Sequence, residues 1–185
     1  MSYDPAMTAS GNPSDTQSAA TEAIDAIVDG LRAAYEGDDR SAAQSTTATA
    51  RQASLEAGRA GAAVFFAYLA AASGADEHRS FARRLLDDAL AVSVPAETSG
   101  LLHRGSVGVA WAVTHLRQQF GIEATDADAA AAFVLQTDAA LLGRVRVSPW
   151  TGDYDLIVGL VGFGLYALER LPDPSAVALL EQIVA

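Results

Sequence analysis

The chain has 185 residues, half of them apolar, with no cysteine and a formal charge of −11 from 12 basic and 23 acidic side chains. That is enough for one domain with a sizeable core, and it excludes disorder over the whole chain. It also excludes disulfides, cysteine-ligated zinc and a cysteine nucleophile, and a nucleic-acid surface is not expected because phosphates need a basic patch.

In chain order, residues 1–17 are small and polar with two prolines and read as a flexible tail, leaving residues 18–185 as the folded domain. No basic flank precedes an apolar run here, so a cytoplasmic location is expected. Ile24, Ile27, Val28, Leu31 and Tyr35 recur at three- and four-residue steps and predict an amphipathic helix. Residues 37–50 read as a linker leading into the next helix. Phe81, Leu85, Leu86, Ala89 and Leu90 predict a second amphipathic helix, stopped before Pro95. A third spans residues 128–142, with Asp126 as N-cap and Gly143 as stop. Val145-Arg-Val147 is the one short piece that reads as extended. A fourth amphipathic helix follows Pro172-Asp173-Pro174, with Leu179, Leu180, Ile183 and Val184 on its apolar face.

Between these lie segments that are apolar nearly all round, each opened by glycines. They begin Gly58-Arg-Ala-Gly61, Gly105-Ser-Val-Gly108 and Gly159-Leu-Val-Gly162. The longest apolar stretches, residues 60–72 and 156–168, are short of the roughly 20 residues that cross a bilayer. The regular interval between the glycine pairs calls for a repeat array, each unit an amphipathic helix followed by a glycine-led buried one. The fold class is all-α. A glycine inside a helix costs about 1 kcal/mol relative to alanine, so something offsets it. Glycines three apart share a helix face and form a notch into which a neighbouring backbone fits. Such notches suit the crowded inner layer of a toroid of helical hairpins. A phosphate cradle at the helix N-termini lacks the lysine and the strand that a P-loop requires.

Residues 101–111, Leu-Leu-His-Arg-Gly-Ser-Val-Gly-Val-Ala-Trp, resemble the first glycine repeat of the lanthionine synthetase C-like (lanthipeptide cyclase) family. Residues 153–171, with Tyr154-Asp-Leu-Ile-x-Gly-x-x-Gly162, resemble the next repeat more closely. The resemblance covers residues 50–185 and implies a double-layered α/α toroid with a central zinc ion. Such cyclases add a cysteine thiol of a precursor peptide to a dehydroalanine or dehydrobutyrine that a dehydratase has made. The resemblance carries over Asp155 as a candidate for proton handling beside the metal; its alternative role is to cap the helix that follows. The family's zinc ligands, two Cys and one His from later repeats, have no counterpart, so no cofactor is expected in this chain. The reading is therefore about half a ring, the N-terminal part of a cyclase, inactive alone because a zinc-activated thiolate needs the metal. The incomplete ring is expected to self-associate through its open edge or to be marginally stable.

His78, His103 and His115 show no metal-ligand spacing. His103, ahead of the second notch, reads as structural. Asp126-x-Asp128 and Asp153-x-Asp155 read as caps and turns rather than metal carboxylates. Phe65, Phe66, Trp111 and Tyr166 read as core, Trp150 as the aromatic placed to line a cleft, and Ser106 lacks a nucleophile's context. Two other functions compete. One is a non-catalytic helical module that binds a peptide or a partner cyclase chain. The other is a fragment of an α/α-toroid glycoside hydrolase, which would need paired carboxylates and more aromatic residues.

Overall fold

The computed structural model describes residues 13–36, 51–93 and 102–185. Linker residues 37–50, Pro95 and the first twelve residues of the expected tail lie outside them. The chain divides into two units, Met1–Ala42 and Ala43–Ala185. In the first, helix α1 spans Pro13–Glu36. It opens on a proline, whose missing N–H costs nothing in a first helical turn. It therefore starts within the stretch read as tail, ahead of the apolar periodicity. Val28, Leu31 and Tyr35 are half-buried, while Ile24 and Ile27 are exposed.

The second unit holds α2 (Arg59–Ser73), α3 (Asp76–Val92), α4 (Ser106–Phe120), α5 (Ala127–Val145), α6 (Leu160–Glu169) and α7 (Pro174–Val184). There is no strand among the described residues, and the fold class is all-α. The glycine-led helices α2, α4 and α6 lie side by side. Behind them, α3 packs on α2, α5 on α4, and α7 on both α6 and α5.

Local chemistry sets the helix ends. Gly74 and Gly121 take left-handed backbone at φ 71° and 60°, which costs glycine nothing, and their N–H groups close the last turns of α2 and α4. Arg79 of α3 donates to the carbonyls of Phe120 (2.7 Å) and Gly121 (2.9 Å), satisfying acceptors that the end of α4 leaves open. The Asp126 carboxylate accepts from the Ala129 amide at 2.9 Å, as expected of the α5 cap. Asp173 does the same for Ser175 at the start of α7.

Three expectations need correction. Gly143 does not stop α5, which runs on to Val145; nothing lies within 4 Å of where a side chain would start, so neither a turn nor a close approach marks it. Val145 accordingly closes a helix and is not extended. The core holds Phe66, Phe81, Leu85, Leu86, Phe163 and Tyr166. Phe65 and Trp111, read as core, are only partly buried. At the α5–α6–α7 junction a buried polar cluster ties three elements. Asp138 accepts from Tyr166 (2.6 Å), Arg170 and Ser175 (2.6 Å), and Arg170 also reaches Asp173.

Candidate functional site

The loops that lead into α2, α4 and α6 share one geometry. Gly58, Gly105 and Gly159 each cap their helix with extended backbone, at φ −124°, −120° and −119°. Three residues before each lies a leucine: Leu55, Leu102 and Leu156. Its carbonyl presses on the second glycine, so a Cβ at Gly61, Gly108 or Gly162 would collide with the carbonyl oxygen of Leu55, Leu102 or Leu156 respectively. The notches are thus filled first by each repeat's own backbone. Those at Gly108 and Gly162 are then closed by the preceding repeat. Leu55 carbons stand 3.1 Å from where a Gly108 Cβ would be, and the Leu102 Cβ stands 3.2 Å from the corresponding point at Gly162.

Backbone hydrogen bonds join the same loops. The Glu56 N–H donates to the His103 carbonyl at 3.0 Å, and the His103 N–H donates to the Ile157 carbonyl at 3.5 Å. Glu56, His103 and Ile157 occupy the same place in their repeats, two before the first glycine. His103 therefore acts structurally through its main chain. Arg104 and Glu56 add an exposed ion pair between the first two loops. The Arg104 guanidinium holds the Glu56 carboxyl below its usual range, mainly through this hydrogen bond.

Asp155 stands on the third loop, exposed to solvent. Its Oδ1 accepts from the amides of Ile157 (2.6 Å) and Val158 (2.9 Å). Those donors, Val158 first, hold its carboxyl below the usual range. The group is ionised at neutral pH and is an acceptor, not a proton donor. Oδ2 has no partner among the described residues. Ser54 occupies the matching place in the first repeat, and its hydroxyl accepts from the Ala57 amide at 3.3 Å. Capping this turn thus needs only a side-chain oxygen; the charge is what Asp155 adds. Tyr154, Leu156 and Ile157 around it are exposed apolar groups. Trp150 is half-buried, donating from Nε1 to the Asp153 carbonyl at 3.0 Å and meeting Phe163 edge-on.

The zinc that the resemblance implies does not fit the donors present. The sequence has no cysteine. His115 is engaged on both ring nitrogens. Among the described residues no three His, Asp or Glu side chains converge to hold a metal. Ser106 is buried at the start of α4.

At the other end of the glycine-led helices lies a cluster that the sequence reading did not single out. Tyr68, His115 and Glu169 each stand ten residues after the first glycine of their repeat. His115 Nδ1 lies 2.8 Å from Glu169 Oε1, and Nε2 lies 3.1 Å from the Tyr68 hydroxyl. A carboxylate only accepts, so Nδ1 carries the proton. Trp111 stacks on the imidazole at 4.4 Å and 14°. Its indole Nε1 is buried and finds no acceptor among the described residues. The signal was available: the intervals 47 and 54 between these three residues are those between the glycines. A periodicity search confined to apolar residues passes over it.

A family model described as "Lanthionine synthetase C-like protein" matches residues 49–185. No curated protein and no solved structure matches the chain.

Proposed function

Because the chain belongs to the lanthionine synthetase C-like family, we propose that it supplies the glycine-led N-terminal repeats of a thioether-forming lanthipeptide cyclase, an arc of an α/α toroid. In that chemistry the thiol sulfur of a peptide cysteine bonds to the β-carbon of a dehydroalanine or dehydrobutyrine, and a proton is delivered to the α-carbon. The observation that carries the reading is the family match over residues 49–185, together with Asp155 on the exposed loop that leads into α6. Its unengaged oxygen is available to accept a proton or a peptide N–H. The apolar groups beside it offer a surface for the precursor peptide, which a dehydratase modifies beforehand. Activation of the thiol needs a metal and soft ligands that these 185 residues do not contain. The chain alone is inactive on this reading, and it works in the cytoplasm. No helix among the described residues is long and apolar enough to cross a membrane.

A second reading is favoured by one observation. Ser54 caps its loop as Asp155 caps its own, which suits a non-catalytic module that binds a peptide or a partner cyclase chain. One experiment separates them. The chain is incubated with a dehydrated, cysteine-containing peptide, with and without a polypeptide carrying the Cys and Cys-His repeats, and unreacted thiol is counted by alkylation and mass spectrometry. The cyclase reading expects rings only in the combined sample, and their loss with Asp155→Asn. Rings formed by the chain alone overturn it. Undiminished ring formation by Asp155→Asn supports the non-catalytic module.

A further inference from the structure

The Tyr68–His115–Glu169 chain has the arrangement of an activated nucleophile. A hydroxyl is a weak nucleophile until a base takes its proton. The base works best when a third group holds it in one tautomer and offsets the positive charge it acquires. All three parts are present here. Glu169 Oε1 lies 2.8 Å from His115 Nδ1, so the imidazole proton sits on Nδ1 and the lone pair on Nε2. Nε2 lies 3.1 Å from the Tyr68 oxygen and accepts its single proton. The tautomer that Glu169 selects is the one that leaves Nε2 free to act as a base.

Burial separates the roles. His115 is 8% exposed and the Glu169 side chain 18%, whereas Tyr68 is 54% exposed. The base and its carboxylate are shielded, and the nucleophile reaches solvent. Trp111 stacks on the imidazole and holds its plane, and Phe120 meets the Tyr68 ring edge-on at 4.8 Å. The stacked ring also carries Nε1, the one buried side-chain donor left without an acceptor among the described residues. These contacts are all made by α2 and by the facing sides of α4 and α6. None of them depends on residues outside the described ones. Tyr68 stands ten residues after Gly58, about 15 Å along the helix axis from the loop that opens α2.

We propose that Tyr68 is the nucleophile of a second site that takes activated acyl groups, esters or thioesters, with His115 as its base and Glu169 as the positioning residue. The Tyr68 oxygen bonds to the acyl carbon as its proton passes to Nε2. The bond from that carbon to the leaving oxygen or sulfur breaks, and the leaving group departs with the proton. Water then bonds to the acyl carbon while Nε2 takes its proton. The bond to Tyr68 breaks, the acid is released, and the phenol regains a proton from Nε2. A neutral acyl carbonyl suits flanking aromatic rings and a carboxylate, where a phosphoryl group would need cations to hold its charge. The site lies at the end of the helices opposite Asp155 and uses no residue of the cyclase reading, so each stands without the other.

The test uses the whole chain and p-nitrophenyl acetate. The sequence contains neither cysteine nor lysine, the side chains that would compete for the acetyl group. Tyr154, 63% exposed and bonded to no imidazole among the described residues, is an internal standard in the same molecule. Peptide mass spectrometry follows acetylation of the two tyrosines with time. Tyr68 is expected to react about a hundred times faster than Tyr154 at neutral pH, the size of a general-base effect. That excess is expected to vanish in acid, where a doubly protonated imidazole accepts nothing. Glu169→Gln keeps an oxygen for Nδ1–H but removes the charge. It is expected to fold and to lower the excess at least tenfold. Equal rates at Tyr68 and Tyr154 overturn the proposal. So does an excess that Glu169→Gln leaves unchanged, which would make the carboxylate contact structural alone. Undiminished nitrophenol release by Tyr68→Phe overturns it too, because the imidazole would then be the nucleophile.

Discussion

Tyr68 and His115 stand 47 residues apart, the interval that also separates Gly58 from Gly105, and the tyrosine hydroxyl lies 3.1 Å from the imidazole Nε2. Equivalent places in successive repeats thus touch. The glycine end of each helix is joined to its neighbour by main-chain bonds and leucine–glycine contacts. The other end is joined by a Tyr–His–Glu chain. Two separated ties fix the relative rotation of α2, α4 and α6, which one tie would leave free.

Removing the middle of that chain leaves the Glu169 carboxylate without its donor and the Trp111 face without its stacking partner. His115→Ala is expected to lower stability by about 2–4 kcal/mol, the sum of an unsatisfied polar group and an unfilled site. Tyr68→Phe deletes only a half-exposed hydroxyl and is expected to cost about 1 kcal/mol or less. Urea unfolding of both variants checks the order; equal losses would show that the imidazole contributes nothing beyond its bond to Tyr68.

Two glycine-to-alanine changes of the same size are expected to act in opposite directions. In Gly108→Ala the new methyl meets the Leu102 carbonyl oxygen and the Leu55 side chain. Main chain cannot move aside cheaply, so a loss of about 1–3 kcal/mol follows. In Gly143→Ala the methyl enters open space within α5, and a gain of about 0.5–1 kcal/mol is expected from helix propensity. Thermal unfolding of the pair is the measurement.

At the α5–α6–α7 junction, Asp138→Ala strips the buried Arg170 of an ion-pair partner and Tyr166 of its acceptor. A loss of about 3 kcal/mol is expected, because Arg170 keeps only the more exposed Asp173 as its counter-charge and the buried Tyr166 hydroxyl loses its acceptor. Replacing Asp138 and Arg170 together by apolar residues of similar volume is expected to recover much of it. A double-mutant cycle reads the coupling, and additive losses would contradict it.

The pH profile is expected to fall at both extremes. Burial, then the Asp138 charge, pushes the Tyr166 hydroxyl above its ordinary value. The unfolded chain ionises that group near pH 10 while the folded chain keeps its proton, so stability is lost as pH rises beyond about 10. Asp155 and Asp173 are shifted the other way. Backbone amides of Val158 and Ile157 lower the first, and the Ser175 hydroxyl chiefly lowers the second. Their stabilisation is present above the unfolded carboxyl value of about 4 and is lost as pH falls through the lower folded values. Asp155→Asn keeps an oxygen for both amides but does not titrate. It is expected to fold normally and to flatten part of the acid limb, seen by circular dichroism against pH.

Residue chemistry alone settled much of this protein. Apolar spacing located α3, α5 and α7 to within a few residues, because a 3.6-residue period leaves a stripe that only a helix can bury on one side, and the glycine-led apolar runs located α2, α4 and α6. The glycine pairs marked where backbones approach closely, since only a missing Cβ allows the contact that Leu102 makes at Gly108. The Tyr-Asp-Leu motif led to the family. Arg79 on the end of α4, the Asp138–Arg170 cluster and the Tyr68–His115–Glu169 chain became visible only in the tertiary structure. Each joins residues at least 28 positions apart, by polar contacts that leave no local pattern. The role of Asp155 shows the division best. Its sequence motif identifies a carboxylate ahead of a buried helix, but which amides it binds, and which oxygen stays unengaged, depends on the path the loop takes between Asp153 and Gly159. That path is fixed by the carbonyl of Leu156 pressing on Gly162 and by the Ile157 carbonyl accepting from His103, both contacts of folded backbone rather than of sequence.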